Sequence, residues 1–248
     1  MTGMWSRALA VSLLTAGAVG GVSGAAWATP SPPTPIAIVN PSFEITTPSS
    51  GVSGSNGTQS YWFDGSFDQW SQSGYNAGWF HPSSVAYPGG GSLNSPATGL
   101  PNGVNVAWLQ GRSELAQTLS TTLTAGTQYT LSFYVGQRAD GVPFSSYSIE
   151  LLVGGVAAAI TSTPVTPGAG GFLSSSVSFT SVPFDPRVGQ NLGIALISSG
   201  ATNQQVNIDN LSLVEIQGAF VPEPDGLALF GSGLGCLLLL AYRPKRGQ

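Results

Sequence analysis

Charge is the scarcest thing in this chain. Only 7% of its 248 residues are Asp, Glu, Lys or Arg, against roughly a quarter in an average soluble domain. No lysine appears before Lys245, and residues 29–220 carry Arg112, Arg138 and Arg187 against nine acids. No basic patch can neutralise phosphates, so nucleic acid is excluded as a partner. Cysteine is nearly absent as well. The single Cys236 lies in an apolar run near the C-terminus, so residues 29–220 hold no disulfide and no cysteine nucleophile. One histidine, His81, cannot build a zinc site. It would have to serve any Ser-His-Asp triad, and no Gly-x-Ser-x-Gly elbow accompanies it. Catalysis by paired carboxylates stays open, since Glu114, Glu150, Asp140 and Asp185 are present and a glycosidase needs only two. The composition predicts no enzyme.

What is abundant is Gly, 34 residues, and Pro, 18, beside 10% aromatics. The aromatic and β-branched content argues against disorder and for a β-rich domain with long loops. Period-2 alternation recurs in Val104 to Leu109, Glu114 to Leu123, Gln128 to Val135, Tyr147 to Val153, Leu173 to Phe179, Leu192 to Leu196 and Val206 to Leu213. No segment of residues 29–220 shows a 3.6-residue period. The pattern predicts an all-β fold, an antiparallel β-sandwich of the jelly-roll kind over 36–217. The polar, Gly- and Ser-rich stretch 46–103 predicts mainly loops with one or two short strands. In the last strand the apolar phase slips from Val206 and Ile208 to Leu211 and Leu213. A β-bulge at Asp209-Asn210 keeps both pairs inward and re-aims Asp209.

The two ends predict targeting. Arg7, the apolar stretch Ala8 to Val22 and Ala26-Trp27-Ala28 read as a signal peptide over 1–28 with a cleavage site after Ala28, an uncleaved anchor being the alternative. A Pro-rich linker follows at 29–35. At the other end the apolar run Gly226 to Tyr242 would span roughly 25 Å as a helix, at about 1.5 Å per residue, the short end of what crosses a bilayer. Arg243, Lys245 and Arg246 behind it predict a cytoplasmic end at the inner membrane. Residues 29 to about 220 would then lie outside that membrane, at the cell surface or in the extracellular matrix.

The tail over 221–248, with Val221, Pro222, Glu223 and Pro224 before the apolar run and Arg243 and Arg246 after it, resembles the PEP-CTERM sorting signals of Gram-negative bacteria. The resemblance implies an exosortase as partner and a link to exopolysaccharide. Within the domain, Asn40-Pro41-Ser42-Phe43-Glu44, Leu115 to Leu119, Ala125 to Phe133 and Val206 to Leu213 together resemble the galactose-binding-like jelly roll of carbohydrate-binding modules. That resemblance implies a structural calcium at Glu44 and Asp209. Calcium takes six to eight oxygens, which two carboxylates and backbone carbonyls can supply; capping of turns is the alternative role for both acids. Sugar binding needs exposed aromatic planes and polar groups. Trp62, Trp70, Trp79 and Tyr87, with Arg138, are the candidates, and plugging of the core is the alternative for each aromatic. Trp108, in an alternating strand, is expected in the core. The resulting expectation is an exported, exosortase-sorted, non-catalytic protein that binds extracellular polysaccharide. A self-associating structural matrix protein and a polysaccharide hydrolase are the alternatives.

Overall fold

Alternating apolar side chains can be buried only if a strand turns one face to a shared interior, and eleven strands form among the residues described. The structure is a computed structural model, and it describes residues 30–44, 48–55, 60–88 and 99–218. The strands are β1 (Thr34–Ile36), β2 (Pro48–Ser55), β3 (Ser60–Phe67), β4 (Ser71–Pro82), β5 (Val106–Thr122), β6 (Thr127–Gln137), β7 (Tyr147–Val153), β8 (Val156–Ile160), β9 (Gly171–Thr180), β10 (Asn191–Ser199) and β11 (Gln205–Gln217). All eleven pair antiparallel. The all-β antiparallel expectation is met. No helix among the described residues is long and apolar enough to cross a membrane. The expected signal peptide and the run 226–242 lie outside the described residues.

Two layers form, and two strands belong to both. The second half of β5 pairs with β10, which continues through β7 to β8. Its first half pairs with β11, which continues through β6 to β9. β4 follows β5 along both halves, with a register shift between Gly74 and Asn76. The corner is made by Gly74 (φ +84°) and Gly111 (φ +65°), conformations that suit a residue without Cβ. A Cβ on Gly74 would also strike the backbone of Arg112 and Ser113. β7 and β8 approach β9 on the far side, so the bent sheet nearly closes into a barrel.

The interior is filled from both layers. Leu115, Leu119, Ile149, Leu151, Ile194 and Leu196 meet Tyr129, Leu131, Phe133, Val135, Ile208 and Leu213, each fully buried aliphatic contributing roughly 1.5–3 kcal/mol. Gln117 is buried among them; its amide spans Val39, accepting from the backbone N–H (2.9 Å) and donating to the carbonyl (3.0 Å). The slip in the last strand is a bulge as expected. Its register with β6 shifts between Asp209 and Ser212, Asn210 takes φ +51°, and Val206, Ile208, Leu211 and Leu213 all stay in the core.

The stretch 46–103 differs from its loop-rich expectation. It holds β2, β3 and β4, a three-strand extension in register with β5. Its inward side chains are aromatic: Phe63, Phe67, Trp70 and Trp79 join the core with Phe43.

Candidate functional site

The outer face of the layer containing β11 carries the chemistry. With Val206 and Ile208 inward, alternation turns Gln205, Asn207 and Asp209 outward, and all three are nonetheless buried. The register lays out one row across the layer: Phe172, Gly136, Asn207, Trp108 and Gly78, from β9, β6, β11, β5 and β4. Phe80, Ala86, Tyr87, Val106 and Trp108 form a second buried cluster there, with Leu100 and Phe172 packed against it. Segments 83–88 and 99–105 supply Tyr87 and Leu100 from above.

Tyr87 is the centre of this cluster. It is 1% exposed, stacks on Phe172 with ring centroids 4.7 Å apart, and donates its hydroxyl to Asn207 Oδ1 at 2.8 Å. Gly136 makes the room, because a Cβ there would fall inside the Phe172 ring and 2.7 Å from Tyr87 Oη. Burial raises the Tyr87 hydroxyl well above its ordinary value, which keeps it a neutral donor. Asn207 Nδ2 donates to the Ala107 carbonyl at 3.1 Å, so its amide is fixed at both ends. Arg138 lies over the Phe80 ring, 5.2 Å from its centroid. Its guanidinium is forked onto Asp140, with Nη1 donating to Gln205 Oε1 at 3.3 Å.

Asp209, the next outward residue of β11, meets the loop before β5. Its Oδ2 accepts from Asn102 N (3.0 Å) and its Oδ1 from Asn210 N (2.6 Å). Glu44 serves the same loop, its Oε1 accepting from Val104 N (2.9 Å) and Asn105 N (2.8 Å). A Cβ on Gly103 would collide with the Glu44 carboxylate. Asp209 is 0% exposed; burial pushes its carboxyl up to about 8, the two amides pull it down, and Glu44 adds to the rise. The two acids are therefore brought together, as their expected shared role requires. Among the described residues no group of three or more His, Cys, Asp or Glu converges. A cation here would draw its remaining oxygens from backbone and amide groups. The donor type suits calcium, since carboxylate oxygens are hard; the same oxygens, Asp209 Oδ1 and Oδ2 and Glu44 Oε1, also accept backbone N–H groups.

The expected ligand residues divide. Tyr87 and Arg138 belong to the outer face. Trp70 and Trp79 do not: Trp70 is 1% exposed and donates to the Val39 carbonyl at 3.0 Å, and Trp79 stacks on Phe63 within the core, centroids 6.1 Å apart. Trp62 is placed opposite Phe80 by the register of β3 and β4. Trp108, expected in the core, is buried as expected, in the second cluster on the outer side of this layer, and donates to the Phe63 carbonyl at 3.0 Å. Val221, Pro222, Glu223, Pro224, Arg243 and Arg246 lie outside the described residues. Asn207, Gln205, Phe80 and Phe172 were not anticipated. Only the outward phase of Val206 to Asp209 hinted at the first two.

Residues 34–214 match the family described as HpiC1-like, HpiC1 cyclase. The chain belongs to this cyclase family. Among solved structures it is similar to the Stig cyclase Fisc from Fischerella sp. TAU in complex with (3Z)-3-(1-methyl-2-pyrrolidinylidene)-3H-indole, at 25% identity and a TM-score of 0.58, covering 74% of this chain and 98% of that one. A cyclase from Fischerella sp. TAU in complex with 4-(1H-indol-3-yl)butan-2-one is similar at 26% identity and a TM-score of 0.57, covering 73% and 97%. A CBM22-1 xylan-binding domain from Paenibacillus barcinonensis reaches only 12% identity and a TM-score of 0.38, covering 62% and 89%, too little to carry an argument. No curated protein matches.

Membership in the HpiC1-like cyclases corrects the expected function. The expectation of a non-catalytic matrix protein fails, because the family is one of cyclases. Exosortase and extracellular polysaccharide give way as partners too, since the related cyclases are complexed with small indole-bearing molecules. The physical reason for the misreading is that scarcity of His and Cys excludes only the chemistries that need them, and so does not exclude an enzyme.

Proposed function

We propose that this protein is a cyclase acting on a small aromatic molecule of the indole class at the outer face around Tyr87 and Asn207. The observation that carries the reading is the Tyr87–Asn207 pair, a buried and uncharged donor–acceptor couple walled by Phe80, Trp108 and Phe172. Flat aromatic walls bind a flat aromatic ring and stabilise positive charge developing on it. With the Tyr87 hydroxyl donating to Asn207 and one Asn207 N–H held by Ala107, the second Asn207 N–H and the Tyr87 oxygen lone pairs are left as one donor and one acceptor for a substrate. Holding a flexible substrate in the folded geometry of its product is how such a site would promote ring closure. Arg138 is neutralised by Asp140, so it holds the end of β6 against Phe80 and Gln205 and leaves the pocket without net charge.

Glu44 and Asp209 are proposed to hold calcium. When bound, the ion would supply neutralising charge to the two acids, and the residues that hold it would pin 99–105 over the face. A second reading rests on the burial of Asp209: free of a cation, it is a neutral acid at pH 7 and could give a proton to the substrate. Activity retained in chelator but lost in Asp209→Asn would favour the second reading; activity lost in chelator would favour the first. A jelly-roll topology is inferred from the two-layer closure, and export from Arg7 and the Ala26-Trp27-Ala28 site.

The test is binding of 4-(1H-indol-3-yl)butan-2-one to the full chain by calorimetry. Measurable binding is expected, weakened at least tenfold by Asn207→Leu. No binding, or equal binding by the variant, refutes the placement of the site.

A further inference from the structure

We propose that the tip of the loop 181–190, led by Phe184, is a membrane-docking surface that dips into the bilayer entered by this chain's own apolar run 226–242. Phe184 is 94% exposed, and Val182, Val188 and Val156 at the same end of the fold are also exposed. A cluster of apolar side chains left in water marks a contact surface. What covers it follows from where the chain leaves the fold.

The turn 123–126 gathers that end together. Gly218, the last residue described, donates its N–H to the Gly126 carbonyl (3.2 Å), and Ser31 N donates to the Gln217 carbonyl (3.1 Å). The loop 181–190 is tied to the same turn by Ser181 N to Thr127 O (3.0 Å), Leu123 N to Gln190 O (2.8 Å) and Gly189 N to Leu123 O (3.0 Å). The hairpin between β7 and β8 joins through Gly154 N to Asn191 O (2.9 Å). Chain entry, chain exit and the Phe184 tip therefore share one end. Residues 218–225 alone separate β11 from the uncharged run Gly226 to Tyr242, and they reach at most about 29 Å at about 3.6 Å each. A bilayer that holds the run is thus tethered close to this end, and a tethered contact forms at high effective concentration even when it is weak.

The tip loses water at little cost. Pro183 and Pro186 bring no N–H. Asp185 N donates to Val182 O (3.2 Å), Val188 N to Asp185 O (3.1 Å), Gln190 N to Arg187 O (2.9 Å) and Arg187 N to Asp185 Oδ1 (2.9 Å). Backbone groups paired in this way escape the penalty that hydrocarbon imposes on free ones. The acid and the base neutralise each other, Asp185 accepting from Arg187 Nε (3.0 Å) and Nη2 (2.8 Å). The guanidinium also lies over the Phe179 ring, 5.0 Å from its centroid. Among the described residues, the turns and loops of this end, 30–33, 123–126, 154–155 and 181–190, hold no other charge. The chain as a whole carries −4, so the contact is apolar burial in neutral lipid, not attraction to anionic headgroups.

The polarity of β11 sets the orientation. Asn207 precedes Gln217 along this strand by roughly 30 Å at about 3.3 Å per residue. Docking by the Phe184 end therefore leaves the face around Tyr87 and Asn207 clear of the lipid.

The test uses the full chain in a Cys236→Ser background, which removes the only native thiol, reconstituted with phosphatidylcholine vesicles. A nitrobenzoxadiazole label on Val188→Cys, which leaves Phe184 in place, should lose most of its emission to a nitroxide carried on the acyl chains and little to iodide in the buffer. The same label on Ala201→Cys, an exposed position in the loop before β11, should do the reverse. Adding Phe184→Asp to the Val188→Cys chain should free its label from the nitroxide, with circular dichroism confirming the fold. A chain that stays off the vesicles overturns the proposal, as does iodide quenching at 188 equal to that at 201. So does a 188 label that neither quencher reaches, which means that protein covers the tip, or one indifferent to Phe184→Asp.

Discussion

Tyr87→Phe isolates one atom of the site. The ring, its stack on Phe172 and the space over Gly136 stay, and only the hydroxyl goes. The lost bond is 2.8 Å long between two residues each 1% exposed. Asn207 keeps its bond to Ala107, but its Oδ1 is left in a dry place without a donor. A buried acceptor stranded in this way costs about 1–3 kcal/mol. For a domain of this size each kcal/mol lowers the melting temperature by about 2–4 °C, so differential scanning calorimetry should show a fall of about 2–12 °C. Asn207→Leu removes the other half and also frees the Ala107 carbonyl. Combining the two should cost less than their sum by about 1 kcal/mol or more, because the second change has no hydroxyl–amide bond left to break. A melting temperature within 1 °C of the parent, or strict additivity, refutes the view that these two groups act as a unit.

Gly136→Ala puts a methyl where Phe172 and Tyr87 meet; a loss of about 1–3 kcal/mol is expected, with ligand binding weakened as Tyr87 shifts, both readable from melting curves with and without ligand. Trp70→Ala should cost about 3–5 kcal/mol as a core truncation, and any ligand affinity surviving in the folded fraction should be that of the parent. Asp209 gives the pH dependence. Its carboxyl is near 8 in the fold against an ordinary 3.8, so between these values the folded chain holds a proton that the unfolded chain has released. Stability in chelator should therefore fall as pH rises from about 4 to 8, by at most about 1.4 kcal/mol per pH unit. Calcium should flatten that slope near neutrality and Asp209→Asn should abolish it; a flat profile in chelator would sink the assignment.

Legibility in the sequence followed the wetness of each face. Gln128 to Val135 and Tyr147 to Val153 each have one drier and one wetter side, so alternation revealed them; in Val206 to Asp209 both faces are buried, and the apolar–polar alternation of residue type alone marked the phase and the bulge at Asp209-Asn210. Val106 to Leu109 has two dry faces, one toward the core and one under the segments 83–88 and 99–105. Alternation there could not say which side faced the larger core, and Trp108 is buried in the smaller cluster. β2 to β4 are written in Gly, Ser and isolated aromatics, which reads as loop; only their pairing in sequence, β2 on β3, β3 on β4 and β4 on β5, makes them strands. The bent course of β5 was invisible for a related reason, since Gly111 looks like a turn and in fact keeps one strand running through a corner. The candidate site was half legible. Tyr87, Arg138, Glu44 and Asp209 were singled out. Asn207 was not, because a lone asparagine in a strand has no signature until its partner, 120 residues away, is in place.

β11 is the last strand described, yet it pairs with β1, β5 and β6 at once. It inserts between two strands that precede it by at least 68 residues and supplies both core residues and the outward row Gln205, Asn207 and Asp209. Until β11 has been made, β5 and β6 have no common neighbour, the Tyr87 hydroxyl lacks its Asn207 acceptor, and Asn102 N lacks Asp209. The chain thus keeps its chemistry unassembled for as long as it is incomplete, and a protein cut short anywhere before 205 would have two open sheet edges and no site. Until β11 is in place, the edges of β5 and β6 that it fills are open to pairing with other chains.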